Sequence, residues 1–344
     1  MRSFASDNYA GVHPEIMDAM FKANVGDMPS YGEDPVSGRA VDLFKKHFGD
    51  QAQIYFIATG TATNTLILKH ITRSWNSVIC STYGHIHVDE CGSPEAVAGI
   101  KLITARTANG KLTPDAVVEQ MYAKGFVHHS QPAVVSFAQC TELGTIYTVQ
   151  EIKDICDAAH NEGLLVHMDG ARLANAAAAL GTSFKEMTVD AGVDVLSFGG
   201  TKNGCMCAEA AVFLKPGLGD DFRFVRKQGM QLISKMRFIG AQFERFLADD
   251  ELWRQNALQA NSMAALLAEK AAQVDGVKIS GPVEANGVFA FIPEDCIAPL
   301  QEKCPFYIWD ELTGEVRWMT SFMTTEQDID DFVAALKETL SNRK

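Results

Sequence analysis

Short apolar segments alternate with helical segments through the first two thirds of the chain, and this alternation constrains the fold more than any other feature. Between several of these apolar runs lie helical segments such as TVQEIKDICDAAHNEG, in which Val149, Ile152, Ile155 and Ala159 repeat near the helical period and Gly163 marks the end. The pattern predicts a mostly parallel α/β sheet with helices on both faces. The predicted strands are IYFIA, NSVIC, AVVSF, LLVHMD, DVLSFG and EAAVFL.

The pattern changes after about residue 240, which predicts a second, smaller α/β domain. Residues 241–273 are expected to form one long linking helix. The apolar segments VFAFIP, FYIWDE and EVRWMTSF follow, and a last helix begins where Thr325 precedes Asp328. We therefore expect a large domain over residues 1–240 and a small one over 241–344. The N-terminal arm of the large domain contains GDMPSYGEDPVSGR, a turn-rich segment of a kind that is often functional.

The net charge, the lack of long apolar runs and the cysteines argue against several classes of partner and location. Lys and Arg number 30 against 43 Asp and Glu, so the net charge is −13, which disfavours binding to nucleic acid or to an anionic membrane. The first residues, MRSFASDNYAG, lack the apolar core of a signal peptide, and no apolar run reaches the roughly 18–20 residues of a membrane span. The 8 cysteines are expected to be reduced, and none has the spacing of a zinc site. The sequence thus predicts a cytoplasmic protein without a metal.

The segment TGTATN follows the first predicted strand and begins a helix. Gly60 permits close approach of the backbone, and Thr61 is a good N-cap. The free N–H groups at this helix start would hold a phosphate. An ordinary capped helix begins in the same way, so this motif alone does not decide between the two.

Asp169 ends one buried strand, and Lys202 follows the next one, about one βα unit later. Both are therefore expected at the sheet edge where open α/β proteins bind ligands. Asp169 would keep a heterocyclic nitrogen protonated, with Arg172 facing the same site; a structural Asp–Arg pair is the alternative. Lys202 lies among glycines, where a lowered pKa would make it a Schiff-base nucleophile; a phosphate-binding or surface lysine is the alternative.

A phosphate cradle, a pyridinium partner and a Schiff-base lysine are together what pyridoxal 5′-phosphate (PLP) requires from a protein. Competing signatures are missing from the sequence: it contains no G-x-G-x-x-G after a strand, no P-loop, no H-E-x-x-H and no G-x-S-x-G. The residues themselves therefore favour a PLP protein over a nucleotide-binding protein, a zinc protease or a serine hydrolase.

Further segments agree in order with one family through nearly the whole chain: SDNYAGVHPE, SYGEDP, GHIHVDECGSPE, KLTPD, HMDGARLANA, DVLSFGGTKNG, SKMRF, VEANGVFA and VRWMTSF. With them the sequence resembles the threonine aldolases, especially the bacterial low-specificity L-threonine aldolases. The resemblance implies the PLP-dependent fold type I, which is aspartate-aminotransferase-like, with a large mostly parallel domain and a smaller C-terminal α/β domain. It also implies cleavage of L-threonine, L-allo-threonine and related L-3-hydroxy-α-amino acids into glycine and an aldehyde.

The resemblance assigns the cofactor to residues already singled out. It implies that Lys202 forms the Schiff base, that Asp169 pairs with the pyridine nitrogen, and that Gly60 and Thr61 bind the phosphate. Arg172 is expected near the cofactor ring and the substrate carboxylate.

The resemblance also supplies substrate and subunit contacts. His85 is expected to stack on the ring and is the candidate catalytic base, directly or through a water. Ser6 is the N-terminal substrate contact, and Arg317 is expected to grip the substrate carboxylate. Tyr31 is expected in the substrate site of the adjoining subunit, and Lys235 at the neighbouring subunit's phosphate, in a homotetramer with active sites at the dimer interface.

The sequence departs from the family at one point, because the run AQCTELGT lacks a histidine that some members place after the corresponding strand. Other histidines do not replace it: His87 is expected to point away from His85, His128 and His129 to be inert, and His167 to be a satisfied buried residue. An L-phenylserine aldolase, another PLP-dependent β-eliminating lyase and a non-catalytic PLP-binding protein remain as alternatives.

Overall fold

The computed structural model describes residues 2–343, and within them a seven-stranded sheet forms the centre of the molecule. The strand order is β1-β7-β6-β5-β4-β2-β3. All neighbours from β6 to β3 are parallel, whereas β7 runs antiparallel to both β6 and β1. The prediction of a mostly parallel sheet is confirmed, although β3 was not among the predicted strands. The strands are β1 (Gln53–Ile57), β2 (Asn76–Ser81), β3 (Lys101–Ala105), β4 (Gln131–Ala138), β5 (Leu165–Gly170), β6 (Val195–Gly199) and β7 (Glu209–Phe213).

Both faces of this sheet are buried, because alternate residues of one strand enter different apolar cores. In β4, Val135 packs with the aromatic core around Phe44 and Phe198, and its neighbour Val134 packs on the opposite side with Leu68. Within the described residues, none of the helices combines the length and apolar character that crossing a bilayer requires. The helices are α1 (Pro14–Ala23), α2 (Pro35–Phe48), α3 (Gly60–Ile71), α4 (His85–Val88), α5 (Pro114–Glu119), α6 (Val149–Asn161), α7 (Leu173–Leu180), α8 (Phe184–Met187), α9 (Phe222–Gln228), α10 (Arg237–Phe246), α11 (Leu252–Ala271), α12 (Glu294–Lys303) and α13 (Glu326–Ser341).

A second, antiparallel sheet lies in the C-terminal part of the chain, with the order β10-β11-β9-β8. Its core also contains Phe4 from the N-terminal arm, whose ring centroid lies 5.0 Å from that of Phe332. The arm is fixed there by the backbone, since the N–H of Phe4 donates to Pro305 at 2.9 Å and its carbonyl accepts from Met319 at 2.7 Å. The boundary at residues 240 and 241 stays a prediction, and residues 1 and 344 lie outside the described part. The strands are β8 (Lys278–Ile279), β9 (Gly287–Phe291), β10 (Tyr307–Asp310) and β11 (Glu315–Met319).

The prediction of one helix over residues 241–273 is wrong, because the chain turns between α10 and α11. Arg245 pairs with Asp250 at 2.7 Å, and Glu251 adopts a left-handed φ of 53°, so the helix cannot continue. Apolar residues keep their helical spacing through this turn, so the sequence does not show that α10 ends there. The expected start of the last helix is confirmed, since Thr325 and Asp328 cap each other at the beginning of α13.

The turn-rich N-terminal segment is only partly irregular. Asp34 accepts the N–H of Ser37 at 2.8 Å, and Pro35 occupies the first helical position, so α2 begins inside the segment that was expected to lack regular structure.

Candidate active site

The central residues of the predicted site meet at the carboxyl edge of the large sheet. Asp169 lies near the end of β5, and Lys202 lies in a 3₁₀ turn, Thr201–Asn203, directly after β6. His85 begins α4 after β2, and Gly60 begins α3 after β1. These four strands run in the same direction, so their carboxyl ends share one edge, as expected for a ligand site in an open α/β sheet.

Two adjoining cavities lie at this edge. The larger has a volume of about 640 Å³ and is lined by Ser6 and Arg317 among others. The smaller is lined by Gly60, Thr61 and Asp169 among others. The residues that line both cavities stand where bound cofactor and substrate would meet, and they are His85, Cys140, Glu142, Arg172 and Lys202.

The N-terminus of α3 borders the smaller cavity, but its cap is not the predicted residue. Thr59 has an extended backbone, and its side-chain oxygen accepts the N–H of Ala62 at 3.3 Å, so Thr59 is the N-cap and Thr61 lies within the first turn. A Cβ at Gly60 would meet only the Glu209 carboxylate, at 3.9 Å. The space beside these first N–H groups is therefore open, as a phosphate site requires.

Asp169 is buried and is held at both oxygens. Its Oδ2 accepts from the Asn64 amide at 2.8 Å, and its Oδ1 accepts the N–H of Ala171 at 3.0 Å. Burial raises the pKa of Asp169, but the charges of His85 and Lys202 and these hydrogen bonds outweigh it, so the pKa is lowered. An ionised carboxylate in this position suits a protonated ring nitrogen.

His167 lies behind Asp169 as a satisfied buried histidine, as predicted. Its two ring nitrogens lie 2.9 Å from the hydroxyls of Ser136 and Ser197. Burial lowers the pKa of His167 to about 4, so the ring is neutral at physiological pH. It therefore adds no charge beside Asp169.

The imidazole ring of His85 is fixed by an acidic residue, Glu90. Its Nδ1 lies 2.9 Å from Glu90 Oε1. Burial lowers the pKa of His85, but the Glu90 hydrogen bond and the charge of Asp169 outweigh it, and the pKa is raised. Polar atoms of His85, Glu90 and Asp169 lie within 4.8 Å of one another, a spacing at which these residue types can hold a metal ion. Because the Asn64 amide already donates to both carboxylates, we interpret the three residues as a hydrogen-bonded cluster instead. His87 is exposed, which agrees with the solvated of its two expected placements, although the segment is helical and not extended.

Lys202 extends from a tight turn into both cavities. The turn needs a glycine at position 200, because a Cβ there would lie 3.0 Å from the Cys205 sulfur and 3.1 Å from the Ala208 carbonyl. Burial and the charge of Arg172 lower the pKa of Lys202 despite the nearby carboxylates. Among the described residues, no carboxylate forms a salt bridge with its amine. The structure thus gives the half-buried Lys202 the features of a nucleophile rather than those of a solvated lysine.

Arg172 does belong to a structural ion pair, but its partner is Asp7 rather than Asp169. Its Nε and Nη2 donate to the two Asp7 oxygens at 2.7 and 3.0 Å, and the Asn286 amide donates to Asp7 at 3.1 Å. Burial raises the pKa of Asp7, but Arg172 outweighs burial and lowers it. The sequence reasoning missed Asp7, although its neighbour Ser6 was named and caps the turn that holds it.

Arg317 is a cation of the larger cavity that, like Lys202, forms no salt bridge with a carboxylate of the described residues. It lies on β11, its Nη2 donates to the Ala5 carbonyl at 3.4 Å, and its buried Nε has no hydrogen-bond partner in the described chain. The rings of Trp309 and Tyr307 lie 4.9 and 5.9 Å from its guanidinium carbon. Burial and the charge of Arg172 lower its pKa. A buried guanidinium with an unused donor suits a bound carboxylate.

Two glutamates at the site escaped the sequence reasoning. Burial raises the pKa of both Glu142 and Glu209 to about 7. Glu142 lies in the run AQCTELGT, which was searched only for a histidine, and its position after a buried strand was an available signal. Glu209 begins β7, and its raised pKa follows from burial in the folded chain, so the sequence held no comparable signal.

Tyr31 and Lys235 do not line either cavity. They lie beside each other at the surface, since the N–H of Tyr31 donates to the Ser234 carbonyl at 3.0 Å and both side chains are exposed. Tyr31 has a left-handed φ of 65°, and the Lys227 ammonium lies 5.3 Å from its ring. A further cavity of about 560 Å³, between α1, α2 and α10, contains none of the predicted site residues. Within one chain, therefore, the structure separates this surface pair from the other site residues.

The chain is similar to known proteins in both its sequence and its structure. The sequence profile described as beta-eliminating lyase matches residues 3–295. Curated low specificity L-threonine aldolases from Pseudomonas aeruginosa and Pseudomonas sp. strain NCIMB 10558 are 45% and 42% identical, over 94% and 99% of this chain and 93% and 98% of theirs. The structure of Leishmania major threonine aldolase superposes with a TM-score of 0.92 at 31% identity, over 98% of this chain and 99% of that one. The last likeness confirms the predicted fold class.

Proposed function

Because the chain belongs to the beta-eliminating lyase family, we propose that it cleaves L-threonine, L-allo-threonine and related L-3-hydroxy-α-amino acids into glycine and an aldehyde, using PLP. The names of its curated relatives support this activity. The observation that carries it is the unpaired guanidinium of Arg317, which shares one cavity with Lys202 and His85. An α-amino acid offers its carboxylate to Arg317 and its amine at Lys202.

The site residues fit PLP by their chemistry. The open N-terminus of α3 at Gly60 and Thr61 would hold the phosphate, Lys202 would link the cofactor covalently, and Asp169 would face the ring nitrogen. His85 would lie against the ring face. When bound, the cofactor supplies an electron sink for the pair released from the breaking Cα–Cβ bond.

The residues of the chain then perform the positioning. Arg317 holds the substrate carboxylate and thereby fixes which bond of Cα is aligned for cleavage. Asp169 keeps a proton on the ring nitrogen, because its own pKa is lowered and it stays ionised. Asp7, which also accepts a hydrogen bond from Asn286, fixes Arg172 beside the same cavity.

The proposal is tested by incubating the purified protein with PLP and separate L-threonine, L-allo-threonine and L-phenylserine, with glycine release as the readout. We expect glycine from each, and none from a Lys202→Ala variant. Turnover of phenylserine alone would identify the phenylserine aldolase. Release of an α-keto acid without glycine would indicate a β-eliminating lyase of another kind, and cofactor binding without turnover a PLP carrier.

The phenylserine alternative has one structural observation in its favour. Tyr307, Trp309 and Phe289 line the larger cavity beside Arg317, and the rings of Phe289 and Trp309 meet edge to face at 5.4 Å. Such a wall would pack against an aryl substituent on Cβ. It supports acceptance of aromatic substrates alongside threonine.

We also propose a cytoplasmic homotetramer whose active sites lie at dimer interfaces, with Tyr31 and Lys235 acting in the neighbouring subunit's site. Their adjacent surface positions support a shared role, and closed symmetric assemblies are the usual outcome for such interfaces. Free thiols throughout the described chain suit a reducing compartment.

Subunit mixing tests this arrangement. Lys202→Ala subunits, which are expected to be inactive, and Lys235→Ala subunits, which are expected to be weakly active, should regain activity after denaturation and refolding together, because one mixed site would contain both lysines. Absence of regained activity, or a fully active monomer in size analysis, would refute the shared site.

A further inference from the structure

We propose that Glu142 accepts the β-hydroxyl proton of the substrate when the Cα–Cβ bond breaks. This assignment rests on the proposed function and goes beyond it, because it replaces His85 as the candidate base. Glu142 is one of the residues that line both cavities and so stands where the reacting bond must lie.

The other residues shared by the two cavities do not suit this task. Burial raises the pKa of Cys140 to about 12, so its thiol stays protonated. Arg172 is a cation engaged by Asp7. Lys202 is committed to the cofactor linkage. His85 is held at Nδ1 by Glu90 and is the residue assigned to the face of the cofactor ring, so it is already engaged.

The geometry of Glu142 leaves one oxygen available. Its Oε1 accepts the backbone N–H of His85 at 2.8 Å, which fixes the carboxylate against the start of α4. No other side chain of the described residues donates to Oε2, and the residue opens to both cavities. Glu142 can therefore contact a ligand hydroxyl without giving up its anchor.

The surroundings of Glu142 make it a stronger base than an ordinary glutamate. Burial and, to a lesser extent, the charge of Asp169 raise its pKa to about 7, because the N–H and the charge of His85 oppose them only partly. The nearby Cys80 and Tyr147 remain neutral, with pKa values raised by burial. A group with a pKa near 7 combines a substantial ionised fraction at neutral pH with useful basicity.

The proposed step balances in atoms and electrons. The proton moves from the β-hydroxyl to Glu142, the C–O bond becomes the aldehyde carbonyl, and the Cα–Cβ electron pair enters the electron sink of the cofactor. One proton must then return to Cα to give glycine, so the reaction is neutral in protons.

The variant Glu142→Gln tests the assignment with little disturbance, because the amide oxygen can still accept the His85 N–H. Glu284→Gln is the matched control: Glu284 also accepts a backbone N–H, from Ile146 at 2.6 Å, but does not line either cavity. Both holoenzymes are first compared with wild type in cofactor absorbance and circular dichroism. Glu142→Asp is a second variant, which keeps the carboxylate.

Two reactions of each holoenzyme separate base catalysis from positioning. We expect Glu142→Gln to cleave L-threonine about 100-fold or more slowly, since general base catalysis contributes about 10²–10⁴-fold. Exchange of the glycine α-hydrogen with deuterated water, followed by NMR, needs no β-hydroxyl base and should stay within about twofold of wild type. Glu284→Gln should match wild type in both, and Glu142→Asp should recover part of the cleavage rate.

A direct titration supplies a readout that does not depend on turnover. In holoenzyme labelled with ¹³C at the glutamate carboxyl carbons, the resonances of Glu142 and Glu209 should both titrate near pH 7, and only one of these two should vanish in Glu142→Gln. The assignment of Glu142 would be overturned, with the proposed function left intact, by any one of three results. These are a Glu142 carboxyl that titrates near 4, equal losses of cleavage and of exchange in Glu142→Gln, or no loss of cleavage in that variant. A wild-type protein that exchanges glycine but cleaves no 3-hydroxy amino acid would instead overturn the proposed function.

Discussion

Replacing Asp7 by Asn should destabilise the protein strongly, because Asp7 is the sole carboxylate paired with Arg172 in the described structure. The aspartate side chain is 1% exposed and the arginine side chain 20%. Asp7 accepts three hydrogen bonds, two from Arg172 and one from Asn286. Asparagine offers one oxygen, so in either amide orientation an NH₂ group would face a guanidinium donor.

The expected loss of stability follows from the number of hydrogen bonds that Asp7 accepts. At least one charge-assisted hydrogen bond is lost, worth about 1.5–3 kcal/mol, and the Arg172 cation stays buried without its counter-charge. Breaking one side of a buried ion pair costs about 3–5 kcal/mol in total. At about 2–4 °C per kcal/mol for a domain of this size, the thermal midpoint should fall by roughly 6–20 °C.

The assay is thermal unfolding at fixed protein and PLP concentrations, with Asp34→Asn as the control. Asp34 is equally buried but caps α2 through Ser37, a role that asparagine also fills, so its midpoint should change by no more than a few degrees. Because the pKa of Asp7 is lowered on folding, its contribution is complete above its unfolded-state pKa and is lost as the pH falls through the folded value. The difference between wild type and Asp7→Asn should therefore narrow below about pH 4. An Asp7→Asn midpoint that matches the control at pH 7 would refute the reasoning.

Substitutions at three further positions test the site. Lys202→Ala should abolish the absorbance of covalently bound cofactor and nearly all turnover, and full activity would contradict the cofactor assignment. Asp169→Asn should retain bound cofactor but lower kcat severely, because an amide cannot hold the ring nitrogen protonated; unchanged kcat would mean that another group pairs with it. Arg317→Leu should lower kcat/KM at least about tenfold with normal cofactor content, and Arg317→Lys should recover only part of the loss. Loss of cofactor in proportion to activity would reassign Arg317 to cofactor binding.

The sheet was predictable because most of its strands are buried on both faces and appear as continuous apolar runs. The strand β3 escaped because it is an edge strand that begins with the exposed Lys101 and has few fully buried residues. The turn between α10 and α11 escaped because helical spacing of apolar residues says nothing about a left-handed residue such as Glu251.

The candidate site was predictable where its residues follow strands. Asp169 and Lys202 were placed at one edge because parallel strands end together. Asp7 was not found, because its partner lies 165 residues away and only the folded chain brings them together. Glu142 was overlooked for a different reason: its position after a buried strand was visible in the sequence, but the raised pKa that marks it depends on burial in the folded chain.

The N-terminal arm has a consequence for synthesis of the chain. The arm emerges from the ribosome first, yet Asn286, which binds Asp7, follows 279 residues later, and Pro305, which binds Ser3, follows 302 residues later. At about 5–20 residues per second, this interval is roughly 15–60 s. During that time Phe4 lacks the core that will bury it and Asp7 lacks one of its donors. A nascent chain released before residue 286 therefore has the lysine and the aspartate of the site, and Arg172 as a partner for Asp7, but it lacks Asn286 and most of the core that buries Phe4, which leaves it a substrate for chaperones and proteases rather than a partly active enzyme.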